Sequence, residues 1–132
     1  MQKRFINPAD IHKPRGYSHA VAVEGGRTIY ISGQVAVDRE GNPVGKGDLR
    51  AQAEKASENL LAALKAAGAS AADIVKMNTY VVGYKPEDYR IIRDVRARMF
   101  ADVEPPASTL VGVAALAIDG LLIEMEAIAA VE

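Results

Sequence analysis

The sequence has no cysteine, no tryptophan and no long apolar run. The absence of cysteine excludes disulfides, thiolate zinc sites and cysteine nucleophiles, and it is typical of a reducing compartment. The first residues, MQKRFINPADIHKPRGY, hold no apolar stretch of signal-peptide length, and no apolar segment approaches the roughly 18 residues that a transmembrane helix needs. We therefore expect a cytoplasmic protein.

The chain also lacks a large excess of positive or negative charge. Sixteen Lys and Arg residues against 17 Asp and Glu residues give a formal net charge of -1, and the aromatic content is 5%. Nucleic-acid binding needs basic surfaces and stacking side chains, so neither a nucleic acid nor an anionic membrane is an expected partner. His12 and His19 show no metal-ligand spacing, and no Gly-rich phosphate loop is present, so we expect no metal site.

The chain has the composition of one globular domain. Its 132 residues are 49% hydrophobic and 25% charged, which suits a single core. We therefore predict one domain over residues 1–132.

Two strands and a helix are predicted in the first half. Alternating and β-branched residues over 18–24 and 27–33 flank a glycine pair, a pattern typical of a hairpin. The segment 48–67 has apolar residues at three-to-four spacing, which predicts a helix. Asp48 is a suitable N-cap for this helix, and Gly68 is a suitable stop.

The second half continues with a strand, a helix and two strands. The segment 73–84 is rich in Val, Ile, Thr and Tyr and predicts a central strand, and apolar residues recur on one face of a helix that starts at Pro86. Two more strands are predicted over 107–116 and 121–132. The order β-β-α-β-α-β-β favours an α+β fold, with one mixed sheet and two helices on one face. The second helix is expected to bury the face that carries Tyr89, Ile92, Val95 and Met99.

The last predicted strand has apolar residues on both faces, although helices can cover only one. Alternation places Glu124 and Glu126 together with Leu122 and Ile128 on the other face. An apolar face without a helix favours contact with another subunit.

Four motifs resemble one family. RGYSHAV (15–21), YISGQVAV (30–37), PPASTLVGVAAL (105–116) and LIEMEAIA (122–129) are similar to the Rid, or YjgF-like, family of reactive intermediate deaminases. The resemblance implies a chorismate-mutase-like fold, a homotrimer and small-molecule clefts between subunits. It also implies hydrolysis of reactive enamines and imines to 2-keto acids and ammonia, without a metal or organic cofactor.

The resemblance assigns residues to the cleft. It implies that Tyr17, Ser32, Gly33 and Gln34 bind the ligand and that Glu124 handles the water or the substrate. Glu126 is expected to be a structural or interface group.

The chain departs from the family pattern at one position. Deaminating members have an arginine after Pro-Ala for the substrate carboxylate, whereas this chain has Ser108, followed by Thr109. Both hydroxyls, and Arg93 on the second helix, are expected to face the ligand. Charge-assisted hydrogen bonds contribute about 1.5–3 kcal/mol each, so a standard 2-imino acid should bind poorly without a cation. Either the ligand is neutral or cationic, or Arg15, Arg93 or Arg96 replaces the missing arginine.

Three functions remain open at this point. The leading hypothesis is hydrolysis of an enamine, imine or related metabolite other than a standard 2-imino acid. The first alternative is a ligand-binding or chaperone-like trimer without catalysis. A ribonuclease or translation inhibitor is the remote alternative, and it would show binding that falls steeply with salt.

Overall fold

A computed structural model describes residues 1–132, with six strands and two α-helices. A short 3-10 helix, Ala71–Asp73, precedes the fourth strand. The elements are β1 (Gln2–Ile6), β2 (Ala20–Glu24), β3 (Arg27–Val35), α1 (Leu49–Ala66), β4 (Ile74–Val82), α2 (Asp88–Met99), β5 (Ala107–Val113) and β6 (Ile123–Val131).

The main sheet has four strands in the order β3-β6-β4-β5. β4 and β5 are parallel, and the other two pairs are antiparallel, so the sheet is mixed. Buried residues of α1 and α2 form one apolar cluster with residues of β3, β4 and β6. The α+β prediction, with two helices packed on a mixed sheet, is confirmed.

The predicted hairpin is wrong. β2 pairs with β1, a strand that the sequence analysis did not anticipate, and β3 pairs with β6. The fold therefore has a separate two-stranded sheet beside the main one. Alternation identifies a strand but not its partner. Here β3 buries Ile29 and Ile31 in the main core, whereas β2 lies outside this core.

The predicted boundaries of α1 are confirmed. The Asp48 side chain accepts a hydrogen bond from the backbone N-H of Ala51 at 3.0 Å and so caps the first turn. Gly68 has a φ of +83°, the left-handed conformation that commonly follows a helix end. The side chains of α1 that lie fully in the core are Ala53, Ala56, Leu60 and Leu64.

The predicted buried face of α2 is confirmed in part. Ile92, Val95 and Met99 are buried. Tyr89 is instead 44% exposed, because it lies on the first turn, where it lines a cavity rather than the core.

A buried amide on α1 holds the turn before β6. The Gln52 side chain is fully buried; its Nε2 donates to the carbonyl of Gly120 at 3.0 Å, and its Oε1 accepts from the N-H of Leu122 at 2.7 Å. These two bonds fix the start of the strand that carries Glu124.

Replacing Gln52 by leucine is expected to destabilise the protein. The carbonyl of Gly120 and the N-H of Leu122 would lose their partner, at about 1–3 kcal/mol for each buried group left unpaired. Urea unfolding measures the loss. Gln2→Leu on the exposed β1 strand is the control and should change stability by less than about 0.5 kcal/mol. Equal effects of the two substitutions would contradict the assigned role.

The face of the sheet opposite the helices is uncovered. Tyr30 is 77% exposed and Val111 is 40% exposed on the strands of this sheet. In β6 the residues Ile123, Met125 and Ala127 join the helix-side core, so the alternate residues point to the open face, as predicted.

No helix of the chain is both long and apolar enough to cross a membrane.

Candidate functional site

A cavity of about 320 Å³ lies between α2, the start of β5 and the loop that precedes β2. One part of its wall is apolar and aromatic, and the other part carries hydroxyl and guanidinium groups. The residues that matter most for its chemistry are Tyr17, Arg93, Arg96, Phe100, Ser108 and Leu110.

Arg96 is the central charged group of this cavity. One guanidinium nitrogen, Nη1, donates to Ser108 Oγ at 2.6 Å, and the other, Nη2, donates to the carbonyl of Gly16 at 3.1 Å. The guanidinium also lies 5.4 Å from the centre of the Phe100 ring. Burial lowers the pKa of Arg96 below its ordinary value, although arginine stays protonated in proteins.

The charge of Arg96 is not neutralised by a carboxylate. The ion pairs of the chain, all within 4.0 Å, do not include Arg96, and no Asp or Glu lines the cavity. A guanidinium has five N-H donors, and the two bonds to Ser108 and Gly16 leave others for a ligand. The cavity is therefore suited to an anionic group.

The other two arginines of the cavity differ from Arg96. Arg93 is 59% exposed and pairs with Asp94 at 3.6 Å. Arg15 is exposed on the loop before β2. Of the three cations that the sequence offered as replacements for the missing arginine, the geometry favours Arg96, because it is bonded directly to Ser108.

The two predicted hydroxyls point to opposite faces of β5. Ser108 faces Arg96 and the cavity, whereas Thr109 Oγ1 accepts a hydrogen bond from Lys76 Nζ at 2.9 Å on the open face. Only Ser108 lies in the cavity.

A second group of predicted residues lies at the end of β3. The pairing of β3 with β6 is irregular between Ile31 and Gln34. A methyl group at Gly33 would overlap a carboxylate oxygen of Glu124, so the glutamate lies directly against the backbone of residue 33. The Gln34 amide donates to the carbonyl of Ser32 at 3.2 Å. Ser32, Gly33, Gln34 and Glu124 are therefore neighbours.

α1 fixes the chain just after this irregularity. The Asn59 side-chain nitrogen donates to the carbonyls of Val35 at 2.9 Å and of Val37 at 3.1 Å. The segment that carries Ser32 and Gly33 is thereby attached to the rigid helix layer.

Glu126 belongs to a separate network on the open face. It accepts hydrogen bonds from the Tyr80 hydroxyl and, at 3.2 Å, from the Asn78 amide. The Tyr80 bond, and then the Asn78 bond, hold the pKa of Glu126 below its ordinary value, while the Glu126 bond raises the pKa of Tyr80. These bonds support the predicted structural role of Glu126.

Tyr80→Phe is expected to make stability less dependent on pH in the acid range. A glutamate whose pKa is lower in the folded than in the unfolded state stabilises the fold above its unfolded pKa, and this contribution is lost as pH falls through the folded pKa. Removing the Tyr80 bond reduces the difference between the folded and unfolded pKa of Glu126. The variant should therefore be less stable than wild type at neutral pH, and the difference in stability should shrink below about pH 4.5. Urea unfolding at both pH values measures this.

Tyr84→Phe is the matched control, because the Tyr84 ring packs against the core and its hydroxyl makes no hydrogen bond within the chain. A stability difference between Tyr80→Phe and wild type that stays constant with pH would contradict the assignment.

The predicted site residues thus fall into two groups in one chain. Tyr17, Arg93 and Ser108 line the α2 cavity. Ser32, Gly33, Gln34, Thr109 and Glu124 lie outside it, and Thr109 and Glu124 lie on the opposite face of the sheet.

The sequence analysis did not name Phe100, Asn78 or Tyr80 as parts of these sites. The spacing of Arg96 and Phe100, four residues apart on a helix, could have indicated their contact. The Tyr80–Glu126 pair joins distant strands and had no local signal. No group of three or more potential metal-ligating side chains lies together.

A family model described as Endoribonuclease L-PSP matches residues 9–131. The chain belongs to the Rid (YjgF-like) family. The resemblance that the four motifs indicated is confirmed.

Similar Rid proteins cover nearly the whole chain. A 2-iminobutanoate/2-iminopropanoate deaminase of Dermatophagoides farinae is 36% identical over 131 residues, 98% of both chains. A RutC family protein of Pyrococcus abyssi is 38% identical over 130 residues, also 98% of both chains. The crystal structure of the Rid protein YyfB from Yersinia pestis, a protein of unknown function, has a TM-score of 0.93 and 41% identity, covering 99% of this chain and 100% of that one.

Proposed function

We propose that this Rid protein hydrolyses a small enamine or imine that carries a carboxylate, in clefts between the subunits of a homotrimer. The observation that carries the proposal is the half-buried, unneutralised guanidinium of Arg96 on Ser108. Deaminases of 2-iminobutanoate and 2-iminopropanoate among the relatives support the reaction class.

Arg96 changes the expected substrate. Poor binding of 2-imino acids was expected because Ser108 has no positive charge. The Arg96 guanidinium, 2.6 Å from Ser108 Oγ, supplies a charge at this position from α2 instead of β5. A carboxylate in the cavity can accept from the free N-H groups of Arg96, and this is the strong type of hydrogen bond. A 2-imino acid is therefore the substrate class we propose.

The reaction requires one water and no redox partner. Water adds to the carbon of the C=N bond, a proton reaches the nitrogen, and the C-N bond of the resulting carbinolamine breaks. The products are a 2-oxo acid and ammonia. In this proposal Glu124 takes the proton of the attacking water and returns it to the leaving nitrogen.

A second subunit is needed to bring the two groups of residues together. The sheet separates the α2 cavity from Glu124 in one chain. No helix covers the open face, and its large side chains Tyr30 and Val111 are exposed, which favours a subunit contact there. We place the cleft where the cavity of one subunit lies beside the Glu124 face of its neighbour.

Ammonia release from 2-iminobutanoate tests the function. An amino-acid oxidase generates the imine in place, and the mass of the protein in solution is measured by light scattering. Faster release than in buffer, from a particle of three chains, is the expected result. Release at the buffer rate would reject the hydrolase and leave a ligand-binding role, and a monomeric active particle would reject the shared cleft.

A ribonuclease is not the function that this chain favours. The family model is described as an endoribonuclease, yet the chain has a net charge of -1 and 5% aromatic residues. RNA recognition depends on basic surfaces and stacking side chains, and the α2 cavity is too small for more than a small ligand.

A further inference from the structure

Three side chains of the loop before β2 form a cluster, and one of them, Tyr17, lines the α2 cavity. His12 Nε2 lies 2.6 Å from the Tyr17 hydroxyl, and His19 Nε2 lies 2.7 Å from the backbone carbonyl of His12. The Tyr17 ring lines the α2 cavity and also an adjoining cleft of about 570 Å³. Tyr17 is thus the residue through which this cluster contacts the cavity.

His19 holds His12 in place. A carbonyl oxygen only accepts, so His19 Nε2 carries a proton in this contact. The backbone N-H of His19 donates to Asn7 Oδ1 at 2.8 Å, which fixes His19 itself. The rings of His12 and His19 are edge to face, with centres 4.7 Å apart, and those of Tyr17 and His19 are edge to face at 5.5 Å. The contacts leave the His12 imidazole with Nε2 directed at Tyr17.

The protonation of His12 decides which atom donates in the Tyr17 contact. When Nε2 carries no proton, the Tyr17 hydroxyl donates to it, and the hydroxyl oxygen can then only accept from other groups. When the imidazole is protonated, Nε2 must donate, and the hydroxyl proton is free for another acceptor. One tyrosine hydroxyl is then an acceptor or a donor toward the ligand, according to His12.

The charged groups around the cluster are few. Lys13 and Glu104 line the adjoining cleft beside Tyr17, and Arg15, Arg93 and Arg96 line the α2 cavity. No ion pair of the chain involves His12 or His19. The donor direction of Tyr17 therefore depends on the histidine and not on a carboxylate bonded to it.

We propose that His12 is a positioning residue that sets the direction of the Tyr17 hydroxyl proton. Its protonation makes Tyr17 a donor to a carboxylate or an oxyanion held by Arg96. The identity of the ligand rests on the proposed function, whereas the geometry of His12 and Tyr17 does not. Binding of an anionic ligand is expected to be stronger when His12 is protonated than when it is neutral.

Nitrogen NMR of the histidine side chains tests the contact without any ligand. At about pH 8 the proton of His12 should lie on Nδ1 in wild type, because Nε2 accepts from Tyr17. Tyr17→Phe removes this donor and should shift His12 toward the other tautomer. A proton on His12 Nε2 in wild type at this pH would overturn the proposal.

Binding of 2-oxobutanoate, the product of the proposed reaction, tests the consequence. This anion stays ionised at about pH 5.5 and pH 8, and wild type should bind it about five- to tenfold more tightly at the lower pH, the size of one added hydrogen bond. His12→Gln and Tyr17→Phe should both lose this ratio. Tyr17→Phe keeps the imidazole charge, so a ratio that persists in this variant would show that His12 acts by charge alone and would overturn the proposal.

The two proposals fail in different ways. If ammonia is not released but the NMR result and the binding ratio hold, the hydrolase is rejected and the role of His12 stands. If ammonia is released and the pH ratio is the same in wild type, His12→Gln and Tyr17→Phe, the hydrolase stands and the role of His12 is rejected.

Discussion

Glu124→Gln is expected to lower the rate of ammonia release from 2-iminobutanoate by about 10²- to 10⁴-fold, the contribution typical of a general base or acid. Glutamine has almost the same shape, so the close contact with Gly33 is kept, but it can neither take a proton from water nor return one to the leaving nitrogen. The loss should appear in kcat more than in KM, because the anionic group of the substrate is held by Arg96.

The matched control is Glu126→Gln, the same change two residues along on the same face. Glu126 is bonded to Tyr80 and Asn78, so this substitution should affect stability and leave turnover within a few-fold of wild type. If Glu126→Gln removed turnover and Glu124→Gln did not, the roles of the two glutamates would be reversed. If neither changed the rate, the carboxylate would have no part in the reaction.

Arg96→Gln should raise KM for 2-iminobutanoate by about 10- to 100-fold. A charge-assisted hydrogen bond is worth about 1.5–3 kcal/mol, and each 1.36 kcal/mol corresponds to a factor of ten. Glutamine keeps an uncharged polar side chain on this wall of the cavity while the charge is lost. Steady-state kinetics with the imine, and binding of 2-oxobutanoate, measure the change.

Arg93→Gln is the control for Arg96. Arg93 lines the same cavity but is 59% exposed and paired with Asp94, so its loss should change KM by only a few-fold. An equal rise in KM for both variants would mean that the cavity attracts anions by its general field. An unchanged KM in Arg96→Gln would mean that Arg96 does not bind the substrate, and a neutral or cationic substrate would then be favoured.

Local signals in the sequence were sufficient for most elements of the fold. The cap at Asp48, the stop at Gly68 and the alternation in 121–132 each depend on a few neighbouring residues, and each has the predicted structure. The pairing of β2 was not predictable in this way. A strand's partner depends on contacts between distant segments, and a glycine pair between two strands permits a hairpin without requiring one.

In the candidate site, too, some features had local sequence signals and others depended on contacts between distant segments. Motif positions indicated Tyr17, Ser108 and Glu124, but not which arginine would reach Ser108. Arg15, Arg93 and Arg96 were equivalent as residue types, and only the packing of α2 on β5 brings Arg96 to the hydroxyl. Alternation was sufficient to place Glu124 on the open face, but the cavity on the helix side depends on the position of α2 beside β5, which no motif records.

The contact between Gly33 and Glu124 couples the residue types that two distant positions of the sequence can hold. Any side chain at position 33 would occupy the space that the Glu124 carboxylate has here, so the carboxylate would have to move. Keeping the carboxylate in this place requires glycine at 33, whereas a shorter residue at 124 would leave room for a side chain at 33. Among homologues, a larger residue at 33 should therefore mark the proteins that have abandoned this carboxylate and the chemistry that depends on it.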